Sequence, residues 1–492
     1  MCLMVAFISC DDGILDQKNP NTLTADSFWK TESDAQKGIV AAYSPFSHIY
    51  FYSRLWFGYT LSQSDEIAPR PDYFYSHSIY NVSPGDGNFT AAWGEIWKVI
   101  FRANQVLKNV PEIEMDEVVK NNILGEAYFL RAYTYFTLVN YWLNVPLVTE
   151  PASSLAEVLQ PQAAPDEVWA QIESDLNNAI PKLPNSYDAD NLGRITAGAA
   201  AAMLGKVYLY RQKWSEAATQ LKRVIDQEFA TYDLVSNYSE NFRLEGENNI
   251  ESLFEIQFDD AFPLFGGGWG ADIKGTARNA AYAHDLANGQ AKYVNSWVLP
   301  VFLAETTNSG EIDPRAYETI LWDYPGAEYF DGTLFKDKIT DYETEIRAAK
   351  YLDVNGGGPA PAMSTCELNM KIIRFADVLL MYAEAENEAN GPSANAYGAI
   401  DRVRARADMP GITAALNQSE FRERVRNERV LELTLESHRP LDLKRWGMLP
   451  GRIIDNPEMR FGNTFYVEGR EYFPIPQVDI DTNPLMIQNK GW

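Results

Sequence analysis

The sequence predicts a mainly α protein: tetratricopeptide-like helical hairpins form a scaffold, and an irregular, loop-rich subdomain packs on it. Three observations carry that prediction. From Ala199 to Glu228, AAAAMLGKVYLYRQKWSEAATQLKRVIDQE sets Leu204, Gly205, Tyr208, Ala217 and Leu221 at tetratricopeptide spacing, where small residues let two antiparallel helices approach closely. Other stretches, notably Trp93 to Val110, Val118 to Leu143 and Phe421 to Trp446, carry apolar residues at the helical period. In two regions, about 46–90 and 251–365, that period fades and glycine, proline and aromatic residues crowd in.

The chain opens with MCLMVAFISC, an apolar run ending in Ser9 and Cys10 and followed at once by Asp11 and Asp12, which looks like a lipobox. Nine residues without Lys or Arg precede Cys10, fewer than the roughly 15–30 of a secretory signal, so residues 1–10 read as a truncated lipoprotein signal. Thr31 and Asp34 then supply a capping-box pattern for a helix through Ala41 and Tyr43. From Phe46 to Phe89 the aromatics Tyr50, Phe51, Tyr52, Trp56, Phe57, Tyr59, Tyr73, Phe74 and Tyr75 suggest aromatic loops. The helical hairpin 93–143 follows, its second helix mostly apolar with a thin stripe of Arg131, Thr134 and Thr137. Pro165, Asp166 and Glu167 start another helix, whose core face is Val168, Ile172, Leu176 and Ile180 before Pro181 stops it. After the tetratricopeptide unit, SLFEIQF alternates like a strand and a long insertion begins, running to about Thr365. Helices are expected to resume at Lys371, and YFPIPQVDIDTNPLMIQNKGW closes the chain as an extended tail.

Composition narrows the function. With 492 residues, 46% of them hydrophobic, the chain can bury a large core, and no low-complexity linker divides it. A net charge of −26 argues against nucleic acid and against electrostatic docking on an anionic leaflet, and favours a neutral or cationic ligand. Three cysteines, two of them in the first ten residues, make no disulfide framework. No zincin, nucleophile-elbow or P-loop motif is present, and His48, His77, His284 and His438 lie far apart, so metal and triad chemistry have no support and no cofactor is expected. Asp479, Asp481 and Asn483 imitate a calcium loop, but Pro484 stands where the turn needs glycine.

Two constellations remain. Glu428, Glu432 and Glu436, four apart on an apolar helix, need cationic partners; Arg429 and Arg439 lie three residues from Glu432 and Glu436, and Arg402, Arg404 and Arg406 end the preceding helix. These residues read as a structural ion-pair network, against the alternative of a carboxylate pair for acid/base catalysis. The second constellation is aromatic. A sugar ring presents C–H groups that suit the face of Trp or Tyr, and hydroxyls that need carboxylate, amide or guanidinium partners. Candidate ligand contacts are Tyr73 and Tyr75 with Asp65 and Arg70, and Trp269 and Trp322 with Tyr282 and Tyr324. Trp269 stands out because Gly266, Gly267, Gly268 and Gly270 around it cannot bury it by local packing.

Long blocks of the chain resemble the SusD/RagB family of Bacteroidetes surface lipoproteins. They are IIRFADVLLMYAEAENEANG (Ile372 to Gly391), AIDRVRARADMPG (Ala399 to Gly411), VRNERVLELTLESHRPLDLKRWGM (Val425 to Met448) and NPLMIQNKGW (Asn483 to Trp492). Upstream, WGEIWKVIFRANQVL (Trp93 to Leu107) and GEAYFLRAYTYFTLVNYWLNVPLV (Gly125 to Val148) extend the match. The resemblance implies one SusD-like domain over 11–492. Its helical scaffold would occupy about 24–45, 91–250 and 366–450, and its ligand-binding subdomain about 46–90 and 251–365. It also implies lipidation at Cys10, attachment to the outer membrane at the cell surface, and non-catalytic delivery of an oligosaccharide or polysaccharide to a TonB-dependent SusC-like transporter. A glycan hydrolase using a carboxylate pair and a tetratricopeptide scaffold binding peptide are the competing readings.

Overall fold

The computed structural model describes residues 28–53, 55–69, 74–258, 293–328, 332–351, 368–412, 415–455 and 465–492. Its longer helices are α1 (Glu32–Tyr43), α2 (Gly87–Asn109), α3 (Glu117–Trp142), α4 (Pro165–Ala179), α5 (Ala197–Tyr210), α6 (Trp214–Ile225), α7 (Phe375–Asn390), α8 (Ala394–Arg406) and α9 (Gln418–Leu433). From α1 to α8 each packs on the next, and α7 also packs on α9, giving a continuous helical array in which tetratricopeptide spacing marks only the α5–α6 hairpin. Local chemistry sets several of these elements. The Asp34 backbone N–H donates to Thr31 Oγ1 at 3.3 Å while the Thr31 N–H donates to the Asp34 carboxylate at 3.0 Å, closing the capping box of α1. In the α5–α6 hairpin a Cβ on Gly205 would stand 2.6 Å from two side-chain carbons of Leu221, so only glycine allows this approach. The polar stripe of α3 is satisfied internally: Arg131 forks onto Asp175 at 2.8 and 2.7 Å, and Thr134 and Thr137 donate to the carbonyls one turn back.

Four expectations are corrected, the simplest being the C-terminal tail, which is not extended throughout but carries the short helix Gln477–Thr482. Residues 46–89, read as aromatic loops, include short helices at Ser44–Ser47, Ile49–Ser53, Leu55–Ser62 and Tyr75–Ser78, and Phe46, Phe51, Tyr52, Trp56, Tyr59 and Phe74 are buried. The reason is a partner remote in sequence: Trp56 stacks on Trp142 of α3 (5.3 Å, 7°), and the C-terminal tail sets Phe473 against both. Met370–Arg374 forms strand β4 rather than the start of a helix, pairing antiparallel with β1 (Ser252–Ile256), so α7 begins at Phe375. The run Phe421 to Trp446 is not one helix. It breaks after Leu433, with Leu435 and Ser437 at φ 69° and 63°, and resumes as Arg439–Arg445. Glu436 therefore lies beyond α9 rather than one turn along it.

A second small pairing, β2 (Ile320–Leu321) with β3 (Arg347–Ala348), supports the irregular side of the molecule. Strand alternation turns Ile320 and Trp322 into the main core, whereas Leu321 joins a separate cluster with Ala327, Phe335 and Ile339. No described helix is long and apolar enough to cross a membrane.

Candidate functional site

The short helix Arg315–Thr319 and strand β2 project three aromatic rings together. Tyr317 stacks on Trp322 at 5.2 Å and 29°, Tyr324 meets Tyr317 edge-on at 5.1 Å, and Trp322 and Tyr324 lie 4.6 Å apart. Trp322 is 7% exposed and serves as the base of the group, whereas Tyr317 is 44% exposed and Tyr324 is half-buried. The face offered to solvent is therefore that of a tyrosine the sequence reading did not select. Beside it, Arg243 grips Glu318 through two bonds of 2.6 and 2.7 Å, and Asp323 is exposed. Burial, then the neighbouring Tyr317 and Glu328, raises the Tyr324 phenol above its ordinary range, so it stays protonated and can donate to a ligand. A flat ring bordered by carboxylate, guanidinium and phenol groups can stack a sugar ring and bond its hydroxyls.

Beneath this patch lies the ion network, and Arg315 ties the two together. Two residues before Tyr317, Arg315 is wholly buried and bonds Asp313 at 2.7 Å, Glu428 at 2.7 Å and Glu432 at 3.0 Å. Glu432 also pairs with Arg374 and Arg406; Arg374 reaches Glu251 at 2.7 Å and Glu436 at 2.8 Å; Lys350 adds Glu436 at 2.9 Å and Arg404 adds Glu428 at 2.9 Å. Five carboxylates (Glu251, Asp313, Glu428, Glu432, Glu436) thus meet five cations (Arg315, Lys350, Arg374, Arg404, Arg406) inside the core. Burial pushes the Glu432 carboxyl up, but Arg406, Arg374 and Arg315 outweigh it and hold it well below the carboxylate range. Burial opposes ionisation of Glu436 in the same way, and Arg374 and Lys350 bring it down to about 2. Such carboxylates have neither the exposure nor the proton to act as a general acid.

The expected local pairs are replaced by distant ones. Arg429 bonds Asp377 at 2.8 Å and Asp442 at 2.7 Å rather than Glu432, and Arg439 bonds Asp65 at 2.8 Å rather than Glu436. On α9 the Arg429 side chain leaves on a different arc from Glu428 and Glu432, and the break after Leu433 turns Arg439 away from Glu436. Asp65, expected at a ligand rim, is fully buried between Arg439 and Arg452 (2.6 Å). Trp297, half-buried, donates its indole N–H to the Asp65 carbonyl at 2.7 Å. Next to Asp65, burial lifts the Glu66 carboxyl to about 7 despite Arg439.

Of the other candidates, Tyr75 is half-buried at the start of its short helix, apart from the Tyr317 group in sequence. Arg70, Tyr73, Trp269, Tyr282 and Cys10 lie outside the described residues. Of the cluster's cations that sequence reasoning missed, Arg374 carried a signal: with Lys371, which pairs with Glu255 at 2.6 Å, it interrupts the apolar run MKIIRF, where a charge has to be paired. Among the described residues no group of three or more His, Cys, Asp or Glu could hold a metal ion.

Comparison with known proteins covers both ends of the chain. A model described as "SusD family" matches residues 303–492, and one described as "Starch-binding associating with outer membrane" matches residues 14–209. SusD-like protein P25 of Formosa agariphila is 28% identical over 99% of this chain and 96% of its own length. A SusD-like protein of Bacteroides ovatus is 26% identical over 98% of this chain and 95% of its own. Among solved structures, a SusD superfamily protein from Bacteroides vulgatus superposes with a TM-score of 0.82 at 26% identity, covering 94% of this chain and all of that one. A structure titled "Laminarin binding SusD-like protein" gives 0.77 at 28% identity, covering 94% of this chain and 100% of that one. The two models in tandem, the full-length relatives and the shared architecture agree: this chain is similar to SusD-like proteins along nearly its whole length and in its fold.

Proposed function

We propose that this protein captures an oligosaccharide or polysaccharide outside the cell, leaves it chemically unchanged, and passes it to a TonB-dependent SusC-like transporter in the outer membrane. A lipid on Cys10 holds it to that membrane at the cell surface. The segment around Arg315–Thr319 and β2 carries the ligand, and the helical array carries that segment. The observation behind this reading is the solvent-facing Tyr317 ring, backed by Trp322 and Tyr324 and bordered by Arg243 and Glu318. Single exposed apolar side chains are common, and what distinguishes Tyr317 is that Trp322 and Tyr324 hold its ring in place, as a stacking platform for a sugar requires. Support from kinship comes from the relative named for laminarin binding, at 28% identity. Against catalysis stands the pairing of the conspicuous carboxylates, each locked to a buried cation.

A glycan array that includes laminarin tests the proposal. Binding of at least one neutral glycan is expected, with Tyr317→Ala weakening it about tenfold, as loss of an exposed aromatic contact does. Retention of full affinity by Tyr317→Ala would move the site elsewhere.

A further inference from the structure

We propose that a cavity on the helical side of the molecule is a second sugar-binding site, which takes one terminal unit of a neutral glycan. The proposal rests on the carbohydrate-binding reading but concerns different residues. The cavity measures about 390 Å³ and is walled by α2, by residues 146–159 after α3, and by the short C-terminal helix Gln477–Thr482. That volume is in the range of about 300–1,000 Å³ usual for small-ligand sites.

Its aromatic wall follows from helical spacing. Trp93, Trp97 and Phe101 stand four apart and share one face of α2. Their exposure is graded: Trp93 is buried, Trp97 half-buried, and Phe101 57% exposed. Trp97 is braced edge-on by Trp93 at 5.6 Å and 67° and by Tyr135 at 6.2 Å and 88°, so its orientation is set before any ligand arrives. Phe101 makes no ring contact with another described aromatic and leaves most of its surface to water, an arrangement that stacking would repair.

The polar groups choose the ligand. Asp479 lines the cavity from the C-terminal helix together with Trp93; burial raises its carboxyl above the ordinary range, and no cation lines the cavity to offset that. Glu150 and Glu157 also line it, but Glu157 spends its oxygens on Ser153 at 2.7 and 2.9 Å, leaving Asp479 and Glu150 to accept hydroxyls. The amide of Asn104 is already committed to Val148 and Arg131, and that of Asn483 to Gln160 and Leu485. An apolar aromatic wall with free carboxylate acceptors suits a neutral pyranose, and the same carboxylates repel a uronic or sulfated sugar.

Ligand-observed NMR with methyl β-glucopyranoside, methyl β-galactopyranoside, methyl α-mannopyranoside and methyl glucuronide provides the test. It uses the full chain and its Tyr317→Ala, Phe101→Ala and Asp479→Asn variants, with the peptide Lys-Phe-Lys as a competing occupant. At least one neutral glycoside should saturate the protein, survive Tyr317→Ala, and bind about tenfold more weakly after Phe101→Ala or Asp479→Asn, while the glucuronide does not bind. Phe101 is exposed enough that its removal should leave the melt unchanged, so a weakened signal reads binding and not folding. A positive glycan array with no glycoside sensitive to Phe101→Ala would overturn this site and leave the main proposal standing. A blank array with no glycoside binding would overturn both. Preference of the Phe101-dependent site for Lys-Phe-Lys would overturn the assignment to sugar.

Discussion

Replacing Glu432 by glutamine keeps the side-chain shape and removes one charge from a buried cluster in which five carboxylates balance five cations. The cost follows from what each cation still holds. Arg315 keeps Asp313 and Glu428, Arg374 keeps Glu251 and Glu436, and Arg406 keeps Glu251 at 3.3 Å, so none is stripped bare, yet one positive charge is left uncompensated in a dry interior. Breaking a buried pair costs about 3–5 kcal/mol, and the remaining partners put this case at about 3 kcal/mol. Urea unfolding followed by tryptophan fluorescence measures it directly. A second substitution, Arg406→Met, restores the balance, so the double variant should recover more than about 1 kcal/mol relative to the sum of the singles. The pH dependence has a defined sign. Because the folded carboxyl sits well below its ordinary 4.5, its stabilisation is present above pH 4.5 and is lost as pH falls toward the folded value. The gap between parent and Glu432→Gln should therefore shrink in acid. A loss under about 0.5 kcal/mol at pH 7, or strict additivity of the pair, would refute the reasoning.

Other substitutions probe other parts of the argument. Glu66 has the opposite sign: its folded carboxyl is raised to about 7, so the parent loses stability as pH rises from about 4.5 to 7, by about 3 kcal/mol, and Glu66→Gln should flatten that slope in urea titrations at several pH values. Gly205→Ala forces a Cβ against Leu221 and should cost about 1–3 kcal/mol by thermal melting; an unchanged melt would mean the α5–α6 hairpin tolerates a wider spacing. Expressed behind a lipoprotein secretory signal, Cys10→Ala should release the protein from the membrane fraction, and persistence there would count against lipid anchoring.

What could be read from the sequence was what neighbouring residues decide. The α5–α6 hairpin was legible because Gly205 and Leu221 lie within one repeat, and the start of α1 because Thr31 and Asp34 complete each other three residues apart. Partners far along the chain were not. Trp56 looks like a loop aromatic until Trp142 and Phe473 close on it, and Glu428 gives no local sign that Arg315, 113 residues earlier, is its counter-ion. The same limit applies to the site. Trp322 and Tyr324 could be picked as aromatic residues in an irregular segment, but Tyr317 sits on a helix and only its stacking on Trp322 marks it. Asp65 failed as a rim residue because Arg439 and Arg452, nearly four hundred positions away, draw it inside.

The central claim is binding without chemistry, and calorimetric titration of the purified chain with its best array ligand, followed by mass spectrometry of the recovered glycan, tests it most directly. Saturable binding is expected, with the glycan returned at its original length after prolonged incubation, and with affinity that falls in Tyr317→Ala. Shortened glycan in the parent would contradict the account and make the protein a hydrolase.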